Sequence, residues 1–188
     1  AGYAYPTHSF GTPTDLVSEG HFPTWQFGGG AGTTEDEDFF APASDALWEA
    51  LEGTGEPPAT AFYAIAKFPS TISVAGVAQA TLEDNGVETL ERVEFDLGTT
   101  DFSSLALRIQ QADPDFIYWG SLGADVVNLY EAFATIGYVP KQLFAMLAAP
   151  AALESLGSEA DGVYTLSIYE ENSTLQEDPQ AELFVEKF

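Results

Sequence analysis

Residues 95–121 read FDLGTTDFSSLALRIQQADPDFIYWGS, and the fold class turns on this stretch. Gly98 to Thr100 turn the chain, and Thr100 or Asp101 is suited to cap a helix by accepting its free N–H groups. Phe102, Leu105 and Ile109 then recur at helical spacing and line one face. Asp113-Pro114 stops that helix, because the residue before a proline avoids the α region. Phe116 to Trp119 follows as a short apolar and aromatic run, the pattern of a strand buried on both faces. No nucleophile beside a base, metal cluster or phosphate loop lies inside the stretch.

The same rhythm extends outward. Upstream, Phe62 to Ala66 reads as a strand, and Lys67 to Thr71 as a turn with Pro69 where a helix can begin. Ile72, Ala75, Ala78 and Leu82 form a helical stripe that stops at Gly86, and Leu90 to Phe95 is the next strand. Downstream, Gly120 to Gly123 leads into a helix carrying Val126, Tyr130 and Phe133, which stops near Gly137. Leu143 to Leu147 is a fourth strand, Ala151 to Leu156 a short helix and Val163 to Tyr169 a fifth strand. Short apolar strands alternating with helices predict an α/β fold with a doubly wound parallel sheet. Such sheets take ligands beyond the carboxyl ends of their strands, which directs attention to loops 67–71, 96–100, 120–123 and 148–150.

The opening of the chain differs. AGYAYPTHSFGTPTDL and HFPTWQFGGGAGTTEDEDFF are rich in Gly, Pro and Thr, as expected of segments crossing from a neighbouring lobe. A helical pattern resumes through Phe40, Leu47 and Leu51, and EGTGEPP at 52–58 is an exposed connector.

Composition sets further bounds. The 188 residues are 45% hydrophobic, enough for one large domain or for one lobe with part of another. No apolar run reaches the roughly 18 residues of a membrane span. With 30 acidic against 5 basic residues the net charge is -25, which repels phosphate backbones and excludes nucleic acid as a partner. That charge fits solubility, or adaptation to salt or an extracellular setting. Without Cys there is no disulfide or thiolate chemistry. The start at Ala1 and the end inside AELFVEKF are expected of a processed or trimmed chain.

Motifs for chemistry are weak. GGGAG at 28–32 lacks the Lys-Ser/Thr ending of a phosphate loop and reads as a hinge. His8 and His21 are far apart and without acidic partners at helical spacing, which argues against a zinc site or a Ser-His-Asp triad. EDED at 35–38 lacks a calcium-loop pattern and suits a helix start. Glu170-Glu171 and Glu177-Asp178 read as solvated surface, and Asn172-Ser173-Thr174 is a glycosylation sequon by pattern alone. No metal or cofactor is expected. The strand-end loops instead carry hydroxyl and aromatic groups: Phe68, Pro69, Ser70 and Thr71; Ser121 and Leu122; and, after Met146-Leu147, Ala148. Such loops suit a mainly apolar small molecule oriented by a few hydrogen bonds, although Ser70, Thr71 and Ser121 also suit helix capping.

LGTTDFSSLALRIQQADPDFIYWGSLGADVVNLYEAFATIGY at 97–138 closely resembles the type I periplasmic solute-binding proteins of branched-chain amino acid ABC transporters. The resemblance is carried by Gly98-Thr99, Asp101-Phe102-Ser103, Pro114-Asp115, Phe116 to Gly120 and Gly137. ADGVYTLSIY at 160–169 and AELFVEKF at 181–188 fit the family's next strand and helix, and PTHSFGTPTDL at 6–16 its closing turn of the first lobe. It implies two Rossmann-like α/β lobes joined by crossovers and closing on a ligand. Residues 1–27 are then a remnant of the first lobe and crossover, and 28–188 the second ligand-binding lobe, incomplete at its C-terminus.

Position by position, the resemblance implies that Gly11-Thr12 hold a ligand carboxylate. Ser70-Thr71 or Thr71-Ile72 stand where the family has Tyr-Gly, Leu122 where it has an aromatic, and uncharged Ala148 near its ammonium-binding acid. An unpaired buried ammonium costs several kcal/mol, so these departures point away from an amino acid toward an aromatic or aliphatic acid or amide. The implied function is non-enzymatic: an extracytoplasmic protein, periplasmic or on the cell surface with or without a lipid anchor. It would deliver a small organic solute to an ABC permease, without itself entering the membrane. A ligand-sensing receptor ectodomain is the alternative, and an α/β hydrolase the remoter one, since neither His lies on a strand-end loop.

Overall fold

The computed structural model of the chain describes residues 7–8, 26–27, 36–121, 125–146, 148 and 150–166. Five parallel strands form the main sheet: β3 (Thr60–Ala66), β4 (Glu88–Phe95), β5 (Phe116–Gly120), β6 (Leu143–Ala145) and β7 (Val163–Thr165). Their spatial order is β4-β3-β5-β6-β7. A separate parallel pair joins β1 (Thr7–His8) to β2 (Gln26–Phe27). The helices are α1 (Asp36–Glu52), α2 (Pro69–Asp84), α3 (Ser103–Ala112), α4 (Asp125–Ile136) and α5 (Pro150–Leu156).

Alternation along each strand sends neighbouring side chains to opposite faces, and the helices divide accordingly. Phe62, Ala64, Ile117 and Trp119 pack against Phe102, Leu105 and Ile109 of α3 and against Val126, Leu129 and Phe133 of α4. Tyr63, Ile65, Tyr118 and Phe144 pack on the other face, with Leu47 and Leu51 of α1 and Val74, Ala75, Ala78 and Leu82 of α2. From β3 the chain winds through α2 to β4 at one edge. It then passes through α3 over β3 to β5 and continues in the opposite direction. The winding direction therefore reverses between β3 and β5. This is the doubly wound parallel arrangement that the sequence predicts.

The local signals act as read, with some shifts. Pro69 opens α2, and Gly86 follows it at φ 89°, a left-handed conformation that costs glycine nothing. Asp101 Oδ1 accepts from the Ser103 N–H at 2.9 Å, and Asp113 leaves α3 at φ 46° and ψ 54°. EDED does mark a helix start, since α1 begins at Asp36. The strand at 90–95 differs from the expected doubly buried type: β4 alternates exposed and half-buried residues because it is the sheet's edge. β6 ends at Ala145 rather than Leu147, as the Ala148 N–H turns back to the Ala145 carbonyl at 3.4 Å. The fifth strand is described over Val163–Thr165; the remainder of its expected span, the Asn172 sequon and the closing helix lie outside the described residues.

Opposite the strands' carboxyl ends, Asp115 clips β3 to β5. Its Oδ2 accepts from the Ala59 N–H at 3.1 Å, the Thr60 N–H at 3.2 Å and Thr60 Oγ1 at 3.0 Å. Lys141 Nζ reaches its Oδ1 at 3.0 Å.

Candidate functional site

Because β3, β5 and β6 are adjacent and parallel, the loops that follow them leave one edge of the sheet side by side. The reversal of winding between β3 and β5 sends α2 to one face and α4 to the other, which opens a crevice at that edge. Loop 67–71, after β3, and Ser121, after β5, therefore flank it. The loop after β4 joins the same rim, where Lys67 Nζ meets Asp96 Oδ1 at 2.9 Å.

The residues singled out from sequence divide into three groups. Half-buried Phe68 and exposed Pro69 present surface after β3. Ser70 and Thr71 are buried in the first turn of α2. The Thr71 hydroxyl lies 2.6 Å from the Ala66 carbonyl and 2.7 Å from that of Phe68, so its one proton holds the turn. Ser121, 1% exposed, directly follows β5 and donates to Asp125 Oδ2. Ala148 is buried in the core cluster shared with Ala152 of α5. Gly11, Thr12 and Leu122 lie outside the described residues, as does His21; of His8 only its backbone pairing opposite Phe27 is described.

Sequence reasoning missed Asp125. In the first turn of α4 it suits the helix dipole, which hides its second role. One oxygen accepts the Trp119 indole N–H at 3.1 Å and the other the Ser121 hydroxyl. Trp119 is itself fixed, stacked on Phe95 with ring centroids 4.8 Å apart and met edge-on by Phe102 at 4.9 Å. Two such aromatic contacts are each worth about 0.5–1.5 kcal/mol beyond the area buried. The carboxylate is thus held from behind by a rigid strand end.

Asp125 also lines a groove of about 760 Å³ on this rim. Leu97, Gly98, Thr99 and Thr100 form one side, and Val127, Asn128, Ala151, Ala152 and Ser155 of α4 and α5 the other. The available signal was the spacing Trp119–Ser121–Asp125, a strand end followed by an acid one helical turn on. Among the described residues no cluster of His, Asp or Glu is arranged to hold a metal ion.

The family profile described as "Periplasmic binding protein" matches residues 28–188. The chain belongs to the periplasmic binding protein family. This periplasmic binding protein chain is similar in fold to several solved structures. One is a branched chain amino acid ABC transporter periplasmic ligand-binding protein from Burkholderia xenovorans, with 18% identity over 85% of this chain and a TM-score of 0.62. Another is an extracellular ligand-binding receptor from Rhodopseudomonas palustris, with 17% identity over 87% of this chain and a TM-score of 0.65. A third is a leucine binding protein from Thermotoga maritima, with 17% identity over 81% of this chain and a TM-score of 0.60. The matches cover 41%, 45% and 43% of those chains, so this chain spans less than half of their length. No curated protein matches it significantly. Periplasmic binding proteins are a family of extracytoplasmic solute binders that work with ABC transporters, not a family of enzymes. Among the described residues no helix is long and apolar enough to cross a membrane.

Proposed function

We propose that this chain supplies one wall of a two-lobed binding protein that delivers a small organic solute to an ABC permease. The observation that carries the reading is the rim: three adjacent parallel strands release their loops at one edge, at the point where the winding reverses. Residues 28–188 form the ligand-binding lobe in this reading, and residues 1–27 belong to the other lobe and its crossover. Phe68, Pro69 and Leu122 offer apolar contact, while Gly11 and Thr12 approach from the opposite lobe. Ser70, Thr71, Ser121 and Ala148 shape the turns behind that surface. Ligand drives closure because both walls contact it only when the lobes are shut.

In this reading the solute is an aromatic or aliphatic acid or amide, or an amino-acid-like molecule, since uncharged Ala148 offers an ammonium no carboxylate partner. A thermal-shift screen of the full-length gene product against amino acids, aromatic acids and amides tests this. A ligand at about 100 times its Kd raises stability by about 2.7 kcal/mol. A response to at least one acid or amide, with none to leucine, is expected. A strong leucine response refutes the reading of Ala148, and silence across the whole screen refutes solute binding.

A further inference from the structure

Taking the solute-binding reading as its basis, we infer that the groove beside Asp125 selects a nitrogen hydrogen-bond donor, an amide or ammonium group, and rejects a carboxylate. Two of the hydroxyl protons around the groove are already committed. Thr99 Oγ1 donates to the Asp96 carbonyl at 2.6 Å, and Ser155 Oγ donates to the Ala152 carbonyl at 2.7 Å. A hydroxyl has one proton, so both groups face the groove as acceptors. Asp125 is an acceptor throughout. Its inward lone pairs take the Trp119 N–H and the Ser121 hydroxyl, and the rest of its acceptor capacity is open to the groove it lines.

Among the described groove residues there is no Lys, Arg or His, which leaves the Asn128 amide and the Thr100 hydroxyl as the side-chain donors described there. A solute carboxylate here would lie beside Asp125 with no cation to compensate and would lose its water besides. An N–H group meets acceptors already aimed by a fixed strand end. The chain's net charge of -25 adds a long-range bias in the same direction.

The test uses the full-length gene product and two matched sets: phenylacetamide, phenethylamine and phenylacetate; isovaleramide, isoamylamine and isovalerate. Binding is read by calorimetry. The amide or amine of a set is expected to bind at least about ten-fold more tightly than its acid. Asp125→Asn should weaken the amine on the order of thirty-fold, while the acid is unchanged or improved. Asn can preserve the scaffold, its Oδ1 accepting from Trp119 and its Nδ2 donating to Ser121. An unchanged melting temperature checks that, and Asn128→Asp, which adds a second acceptor charge without touching Trp119, should tighten the amine. An acid that binds as well as its amide or amine overturns the inference and leaves solute binding standing. Six silent compounds overturn the inference; if the broader screen is silent too, the solute-binding reading falls with it.

Discussion

Replacing Asp115 tests the logic of the sheet most directly. Its carboxylate receives three hydrogen bonds from Ala59 and Thr60 and a fourth from Lys141, so one side chain ties the starts of β3 and β5 together. Hydrogen bonds to a charged group contribute about 1.5–3 kcal/mol each when buried. The Asp115 side chain is 35% exposed, and water replaces part of what is lost. The total for Asp115→Ala then comes to about 2 kcal/mol rather than the sum of its bonds. In a chain of this size that lowers the melting temperature by about 4–8 °C, and Asp115→Asn, which keeps one acceptor, by about half as much.

The pH dependence carries its own sign. Burial acts to raise the Asp115 pKa, but the hydrogen bonds from Lys141, Thr60 and the Ala59 N–H outweigh it and hold the carboxyl below its usual value. A depressed folded pKa stabilises the fold above the unfolded value of about 3.9 and loses that effect as pH falls through the folded pKa. Wild type should therefore exceed Asp115→Ala by the full margin near neutrality, and the two urea-unfolding curves should converge in acid. A margin that stays constant or grows from about pH 6 to about pH 3 would refute the assignment.

Thr71→Val removes the hydroxyl but keeps the shape; Ala66 and Phe68 retain backbone N–H partners, so urea unfolding should show a loss of only about 1 kcal/mol. Gly120→Ala sets a new methyl 3.1 Å from Tyr118 Cε1 and 3.4 Å from Ile65, both fully buried, and should cost about 1–3 kcal/mol in the same assay. The net charge of -25 predicts that the melting temperature rises between about 0.1 M and about 2 M salt near neutral pH. That salt effect should shrink near the isoelectric point of about 4.1; a melting temperature indifferent to salt would remove self-repulsion from the account.

The layering was legible because its causes are local. Apolar runs of strand length, a helical stripe such as Ala75, Ala78 and Leu82, and stops at Gly86 and Asp113-Pro114 each act within a few residues. Strand order depends on pairing between distant segments, yet Glu91, Arg92 and Glu94 in LERVEF at 90–95 already carried the charge of a strand with an exposed face. The site was harder. Ser70 and Thr71 advertise hydroxyls, but whether a hydroxyl faces solvent or its own turn depends on where the Ala66 and Phe68 carbonyls lie. Asp125 looked ordinary because an acid in a first helical turn needs no further reason; its link to Trp119 and Ser121 exists only in three dimensions.

The crevice between β3 and β5 comes from the route of the backbone, not from the identity of any side chain around it. Recognition and architecture are thereby uncoupled: the turns at the rim can exchange residues over evolutionary time while the layers beneath keep their packing.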